Sequence, residues 1–256
     1  NNVGQIKAYE EIGTDFSSVS GNNVFEQPQD TRYYQNLKER GTSYAITKYA
    51  YDELELTMDG STIKYSYASF RNQVQANWIV YRYTEVLLFE AEAYIMKAKE
   101  ISPDGQDSLT MATTLKLYKD KAFNLIDAVN SRSIVADNRK MANPKTLTQL
   151  INYNSSASAS ELEDLLFKER RRELMFEGKR WFDLVRMARR DGNQTRLLAL
   201  VKKKFSNATG SAVDIKLKNP YAMYFPMARD EVRNSQGVLK QNPAYQDEEK
   251  MEQASH

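Results

Sequence analysis

Between Phe167 and Arg186 the chain carries Glu169, Glu173 and Glu177 four residues apart, with Arg170, Arg171, Arg172 and Arg180 threaded among them. On a helix this spacing puts the three carboxylates on one face, where like charges four apart repel mildly. The stripe therefore demands cations from elsewhere. Arg170 and Glu173 stand three apart, as do Glu177 and Arg180, and Asp183 and Arg186. An earlier helical segment offers a second charged face through Arg82, Glu85 and Glu92. The expectation is an ionic network shared by two helices, built from Arg82, Glu85, Glu169, Arg170, Glu173, Glu177, Arg180 and Asp183.

Three chemistries compete for such a stripe. Paired carboxylates could act as the acid and base of a glycosidase, which needs two groups roughly 5–10 Å apart across a sugar. Helix-borne carboxylate metal sites use Glu-x-x-His, but the single histidine is His256, the last residue. A structural network would instead fix helix register, and removing one buried partner would cost about 3–5 kcal/mol by stranding the other charge. The structural reading is preferred, because charge runs on helices are ordinarily solvated or paired.

Composition narrows the function classes further. A chain of 256 residues can bury one large core or two small ones. Its 36 basic and 34 acidic residues leave a net charge of +2, too balanced to attract a polyanion, so nucleic acid is not an expected partner. With no cysteine, thiol nucleophiles, disulfides and thiolate metal sites are excluded. No apolar run approaches the ~20 residues of a membrane span, in keeping with a mean hydropathy of −0.67. The opening Asn1-Asn2-Val3-Gly4-Gln5 has none of the features of a signal peptide and reads like the interior of a longer chain.

Periodicity supplies the architecture. Residues up to about Gly41 lack a sustained period and read as loop with short helices. Alternation at Leu54, Leu56 and Met58, broken at Asp59-Gly60 and resumed at Ile63, Tyr65 and Tyr67, predicts a β-hairpin. From Trp78, apolar residues recur at three and four: Ile79, Tyr83, Val86, Leu87, Ala91, Tyr94 and Ile95 predict a helix ending before Pro103-Asp104-Gly105. Leu115, Tyr118, Ala122, Leu125, Ile126 and Val129 predict a second helix, to Ser131, packed antiparallel on the first. Ser160 with Glu163 reads as a capping box opening a long helix that runs to Asp191-Gly192. Further helix is expected near Thr195 to Lys204, a short extended piece at Met223 to Phe225, and a short helix from Arg229 to Asn234. The fold class is thus mainly α: tetratricopeptide-like helical hairpins with long loops and a small β-hairpin. The parts are a loop-rich region 1–77, a helical region 78–204, a closing segment 205–245, and a polar tail 246–256 expected to be disordered.

Four motifs in this order resemble the SusD/RagB family. They are Tyr81-Arg82-Tyr83-Thr84-Glu85-Val86-Leu87-Leu88 with Ala91-Glu92-Ala93; Val129-Asn130-Ser131-Arg132; Glu169-Arg170-Arg171-Arg172-Glu173-Leu174 with Glu177-Gly178-Lys179-Arg180-Trp181-Phe182-Asp183-Leu184; and Phe225-Pro226-Met227 with Gln241-Asn242-Pro243-Ala244-Tyr245. Asp30-Thr31-Arg32 is similar to the family's Asp-x-Arg. The match runs from about Asp30 to Tyr245 and corresponds to the C-terminal half of such proteins. Phe225-Pro226-Met227 lacks one proline of the family pattern, and Ala244 stands where the family has glycine.

The resemblance implies a non-catalytic lipoprotein at the surface of the outer membrane, anchored through a lipid outside this chain. It would capture a nutrient, commonly a glycan, for a SusC-like TonB-dependent transporter, with no cofactor and no metal. It also implies that Arg82, Glu85, Glu169, Arg170, Glu173, Glu177, Arg180, Trp181 and Asp183 are fold determinants. A peptide-binding or tetratricopeptide-like scaffold is the alternative, and an upstream secretion signal followed by a cysteine would exclude its cytosolic form.

Sugar recognition uses flat aromatic faces with polar edges. Eleven of the 16 tyrosines precede residue 100. Tyr33 and Tyr34, beside Arg32 and Asn36 and close to Phe25, form the loop-borne candidate cluster, although packing against the helices is the competing role for such aromatics. Tyr83, Tyr94 and Tyr118 are expected in the core.

Overall fold

The computed structural model describes residues 24–25, 30–40, 43–49, 54–59, 62–67, 77–101, 108–134, 157–202 and 207–246. The chain divides into two compact units, 1–180 and 181–256.

The first unit begins with α1 (Thr31–Asn36), capped by the Asp30 side chain, which accepts from the Arg32 backbone N–H at 3.0 Å. Two antiparallel hairpins follow: β1 (Leu37–Arg40) with β2 (Ser43–Ile46), and β3 (Leu54–Asp59) with β4 (Thr62–Tyr67). The second is the predicted hairpin, with Asp59 opposite Thr62 across a two-residue connection. The first hairpin has no signature in the sequence, because β1 reads Leu-Lys-Glu-Arg and carries no alternation.

Three helices build the main core of this unit: α2 (Tyr83–Glu100), α3 (Ser108–Ser131) and α4 (Ala159–Glu173). Leu88, Ala91 and Ile95 of α2 meet Ala122, Phe123, Ile126 and Val129 of α3 and Leu162, Leu165 and Leu166 of α4. Burying each large aliphatic side chain here contributes about 1.5–3 kcal/mol. The expected α2–α3 pairing is present, and α3 starts about two turns earlier than its apolar period predicts.

Three expectations need correction. Helix α2 begins at Tyr83, because Arg82 is extended (φ −147°, ψ 158°) and stands outside the helix. Its buried face carries Thr84, Glu85, Leu88, Ala91, Glu92 and Ile95. The face is thus turned from the predicted stripe, leaving Tyr83 and Val86 exposed, while Tyr94 and Tyr118 are half-buried and stack on each other at 5.9 Å. The predicted long helix is interrupted: α4 stops at Glu173, and a turn with Phe176 (φ 63°) and Gly178 (φ 74°) in left-handed conformations precedes α5 (Arg180–Asp191). The capping box lies two residues earlier than expected, at Ser158 and Glu161, whose side chains reciprocally accept from each other's backbone N–H. Glu163 faces inward instead and pairs with Lys99 at 2.8 Å.

In the second unit, α5 is followed by α6 (Thr195–Lys202), α7 (Asn207–Leu217) and α8 (Arg229–Asn234), with single 3-10 turns at Pro220–Met223 and Pro243–Tyr245. Helix α8 has the predicted bounds. Among the described residues no helix is long and apolar enough to cross a membrane. The expected tail lies outside the described residues except for Gln246.

Candidate functional site

Glu169 and Glu173 stand at the C-terminal end of α4, and Glu177 lies in the turn after it, so the three carboxylates do not share one helix. They are nonetheless brought together by shared cations. Glu169 Oε1 accepts from Arg32 Nη1 at 2.5 Å, and its Oε2 accepts from Asn130 Nδ2 at 3.0 Å and from Arg172 Nε and Nη2 at 3.0 and 2.9 Å. Glu173 Oε2 takes a second bond from Arg32 Nη1 at 3.0 Å, and its Oε1 is shared by Arg82 and Arg132. Glu177 Oε1 accepts from Lys48 Nζ at 2.6 Å and from Arg82 Nη2 at 2.9 Å.

Arg82 is the joint of this cluster. Its guanidinium reaches Glu173, Glu177 and, through Nη2, the Glu173 carbonyl oxygen at 2.6 Å. A residue committed to that geometry at the mouth of α2 keeps an extended backbone, and the helix starts at the next residue, Tyr83. Arg32 holds a parallel position: Nε and Nη2 grip the two oxygens of Asp30 at 2.8 and 2.7 Å in a bidentate pair while Nη1 points to Glu169 and Glu173. At the start of α2, Glu85 lies 3.7 Å from Arg170 Nη2 and 3.0 Å from Lys179 Nζ. Both are ion pairs, the first too long for a hydrogen bond and the second without the alignment of one.

Electrostatics keep Glu169 and Arg32 charged. Burial alone would push the Glu169 carboxyl upward, but Arg32 and Arg172, by charge and by hydrogen bonding, outweigh it and hold it below its ordinary 4.5. Burial opposes the Arg32 charge too, and Glu169 and Asp30 more than compensate, raising the guanidinium well above its ordinary value. Lys48 is the exception. Desolvation draws its ammonium below 10.5 despite the Glu177 carboxylate beside it.

The structure brings several of the expected residues into one ionic cluster, in pairings other than those their spacing suggests. Arg82, Glu85, Glu169, Arg170, Glu173 and Glu177 lie in it or at its edge. Arg170 reaches toward Glu85, while Arg180 Nη1 donates to the Phe167 carbonyl at 3.3 Å. Asp183, in the second unit, pairs with Arg186 at 2.9 Å as its spacing predicts, and Trp181 donates its indole N–H to the Met223 carbonyl at 3.1 Å. Asp30, Arg32, Lys48, Asn130, Arg132, Arg172 and Lys179 join the cluster from outside the expected set. Lys48 lies 129 residues from its carboxylate, Glu177, and no spacing rule reaches that far. Arg132 could have been found, since it follows Asn130, which also donates into the cluster.

The candidate ligand residues lie elsewhere than expected. Arg32, Tyr33, Tyr34 and Asn36 are all buried, at 3–6% exposure. Tyr33 packs edge-on between Phe25 and Tyr34 at 5.8 and 5.0 Å, within a small core completed by Val24, Leu37 and Met175. Capping by Asp30 and the inward pull of the carboxylates on Arg32 draw this segment into the fold, so none of the four offers an open face to a ligand.

The closing motif also has a mechanical role. Gln241 brackets Met227, its Oε1 accepting from the Met227 N–H at 2.9 Å and its Nε2 donating to the Met227 carbonyl at 3.0 Å. Asn242 Nδ2 donates to the carbonyls of Tyr221, Tyr224 and Phe225 at 3.0, 3.2 and 3.5 Å, while its Oδ1 accepts from Ala244 N–H at 3.0 Å. Two amide side chains thereby fix the extended segment 224–227.

Residues 6–245 match the sequence model of the SusD family. The chain belongs to this family. A similar protein is "SusD-like protein P38" of Formosa agariphila, 28% identical over 176 residues. That match takes in 64% of this chain and 27% of the relative, so the chain spans about a quarter of the curated SusD-like protein it matches. No solved structure matches it. The mainly helical architecture with small antiparallel sheets is consistent with SusD-like proteins.

Proposed function

We propose that this protein is a non-catalytic binding protein at the bacterial cell surface. It takes up a glycan as nutrient and hands it to a SusC-like TonB-dependent transporter in the outer membrane. A lipid outside the present sequence anchors it there. Membership of the SusD family carries this reading.

The geometry supports the absence of chemistry. A glycosidase needs one carboxyl held protonated as acid and another free to act as base or nucleophile. Here Glu169, Glu173 and Glu177 are each held by two or more donors, and the Glu169 carboxyl is kept ionised. Groups so engaged brace a scaffold.

The test is an array of polysaccharides and peptides probed with the full-length protein, followed by incubation with every ligand that binds. Retention of one glycan class without new reducing ends is the expected result. Turnover abolished by Glu173→Gln would overturn the non-catalytic reading, and exclusive retention of peptides would favour a peptide-binding scaffold.

A further inference from the structure

The segment 77–82 ahead of α2 has no regular secondary structure and carries two exposed aromatic residues. Trp78 is 59% exposed and Tyr81 74%. Both rings are backed by protein on one face. The Trp78 indole stacks on Tyr49 with centroids 5.4 Å apart and an interplanar angle of 21°. The Tyr81 ring has the Lys179 ammonium 4.2 Å from its centroid.

That backing is rigid, because it is rooted in the buried ionic cluster. Lys48, next to Tyr49, is tied to Glu177 and to the Met175 carbonyl at 2.9 Å. The neighbouring Gly178 turns with φ +74° beside the indole, where a Cβ would make an ordinary contact with Trp78 Cζ2 at 3.5 Å. Lys179 donates to the Val80 carbonyl, pinning the segment between the two rings. Arg82 then locks its C-terminal end onto Glu173 and Glu177.

We infer that Trp78 and Tyr81 form a carbohydrate-stacking ledge that binds neutral sugar residues. The inference rests on the glycan-binding function proposed above and names its contact surface. A pyranose presents a flat face of C–H groups, which an open aromatic ring accepts, while the indole N–H and the phenol at the ring edges serve the hydroxyls. Rings already held on one side lose little rotamer freedom on binding. The cation over the Tyr81 ring is balanced: Lys179 is paired with Glu85 at 3.0 Å. The ledge therefore makes no electrostatic demand for a uronate or sulfate, and uncharged hexose or pentose residues fit it best.

The chain has two tryptophans, Trp78 and Trp181, so Trp181→Phe leaves Trp78 as the sole indole reporter. The full chain is titrated with neutral oligosaccharides of glucose, mannose, galactose and xylose, and with an alginate oligosaccharide as acidic control. Trp78 emission should shift to the blue and resist acrylamide quenching when a neutral sugar binds. By calorimetry, Trp78→Ala and Tyr81→Ala in the otherwise native chain should each weaken binding about tenfold, the loss of one stacking contact of about 1.4 kcal/mol. Both residues are exposed, so unchanged circular dichroism is expected. A sugar that binds equally well to Trp78→Ala and leaves Trp78 open to quencher overturns the ledge and leaves the binding function standing. Binding of the acidic glycan alone also overturns it. If no glycan binds at all, the binding function falls with it. Shielding of Trp78 without sugar, through self-association abolished by Trp78→Ala, would reassign the surface to a protein contact.

Discussion

Arg32 and Glu169 are separated by 137 residues and joined at 2.5 Å, with 6% and 0% of their side chains exposed. A pair so thoroughly desolvated matters most when one member is lost. Arg32→Ala strands Glu169 and Asp30 in the interior, and a loss of about 3–5 kcal/mol is expected. Replacing Arg32 and Glu169 together by Met and Leu should recover little of that loss, because Asp30 still lacks Arg32 and Arg172 loses its ion pair with Glu169. Urea denaturation of the single and double variants measures both numbers. Equal stability of Arg32→Ala and the parent would refute the coupling.

The same pair dictates a response to acid. The folded state holds Glu169 below its ordinary 4.5, so the stability it contributes is complete above that value and fades as pH falls through the lowered one. Asp127 acts in the opposite sense, since burial and the nearby Glu169 charge raise its carboxyl. Stability should be flat from neutrality to about pH 5 and then decline. Glu169→Gln should be less stable at neutral pH but fall less steeply below it, and Asp127→Asn should steepen the parent's decline. Thermal melts across this range give the slopes, and parallel curves for Glu169→Gln and the parent would contradict the assignment.

Much of this framework was legible because it repeats locally. The stripe of Ala122, Ile126 and Val129 names the core of α3 directly, and Asp183 finds Arg186 three residues on. The long α4 was misread at its end because Glu177 continues the four-residue spacing of Glu169 and Glu173. Only the left-handed Phe176 and Gly178 break the helix, and a glycine near a helix end is a weak signal among strong ones. Tyr33 and Tyr34 are ligand candidates because loop aromatics near Arg and Asn suit a sugar, and the competing role, packing, is the one the structure gives them. Their burial depends on Phe25, Leu37 and Met175, and the last of these lies far away in sequence. The aromatic surface of Trp78 and Tyr81 is hidden for the converse reason: the helical period starts at Trp78, whereas the helix itself starts at Tyr83 and leaves both rings exposed ahead of it.

Asn242 makes three donor contacts to backbone carbonyls from one amide, at 3.0, 3.2 and 3.5 Å. Asn242→Ala removes them together with the acceptor for Ala244 N–H, whereas Asn242→Asp keeps that acceptor and loses the donor. At about 1 kcal/mol per net hydrogen bond, the two amide protons and the acceptor make the cost of Ala about 3 kcal/mol, and Asp should cost at least as much, since a carboxylate would face three carbonyl oxygens. Hydrogen exchange should accelerate between residues 221 and 227 in both variants. Acceleration confined to Asn242→Ala would mean that the acceptor matters more than the donor.

Gly178 and Gly192 share left-handed backbones, with φ of 74° and 69°, but differ in their surroundings. A Cβ on Gly192 meets nothing within 4 Å, and one on Gly178 would lie 3.5 Å from Trp78 Cζ2, an ordinary contact distance. Alanine should therefore cost about 1–2 kcal/mol at either position, from the left-handed conformation alone. If the Gly178→Ala backbone holds its place, the new methyl group touches the indole without displacing it, and Trp78 emission should stay at the parent wavelength. A red shift with greater acrylamide access in Gly178→Ala but not in Gly192→Ala would show that the turn has swung away from the ring. The cost at position 178 would then include the loss of the stack between Trp78 and Tyr49, and it should exceed that at position 192 in the same denaturation series.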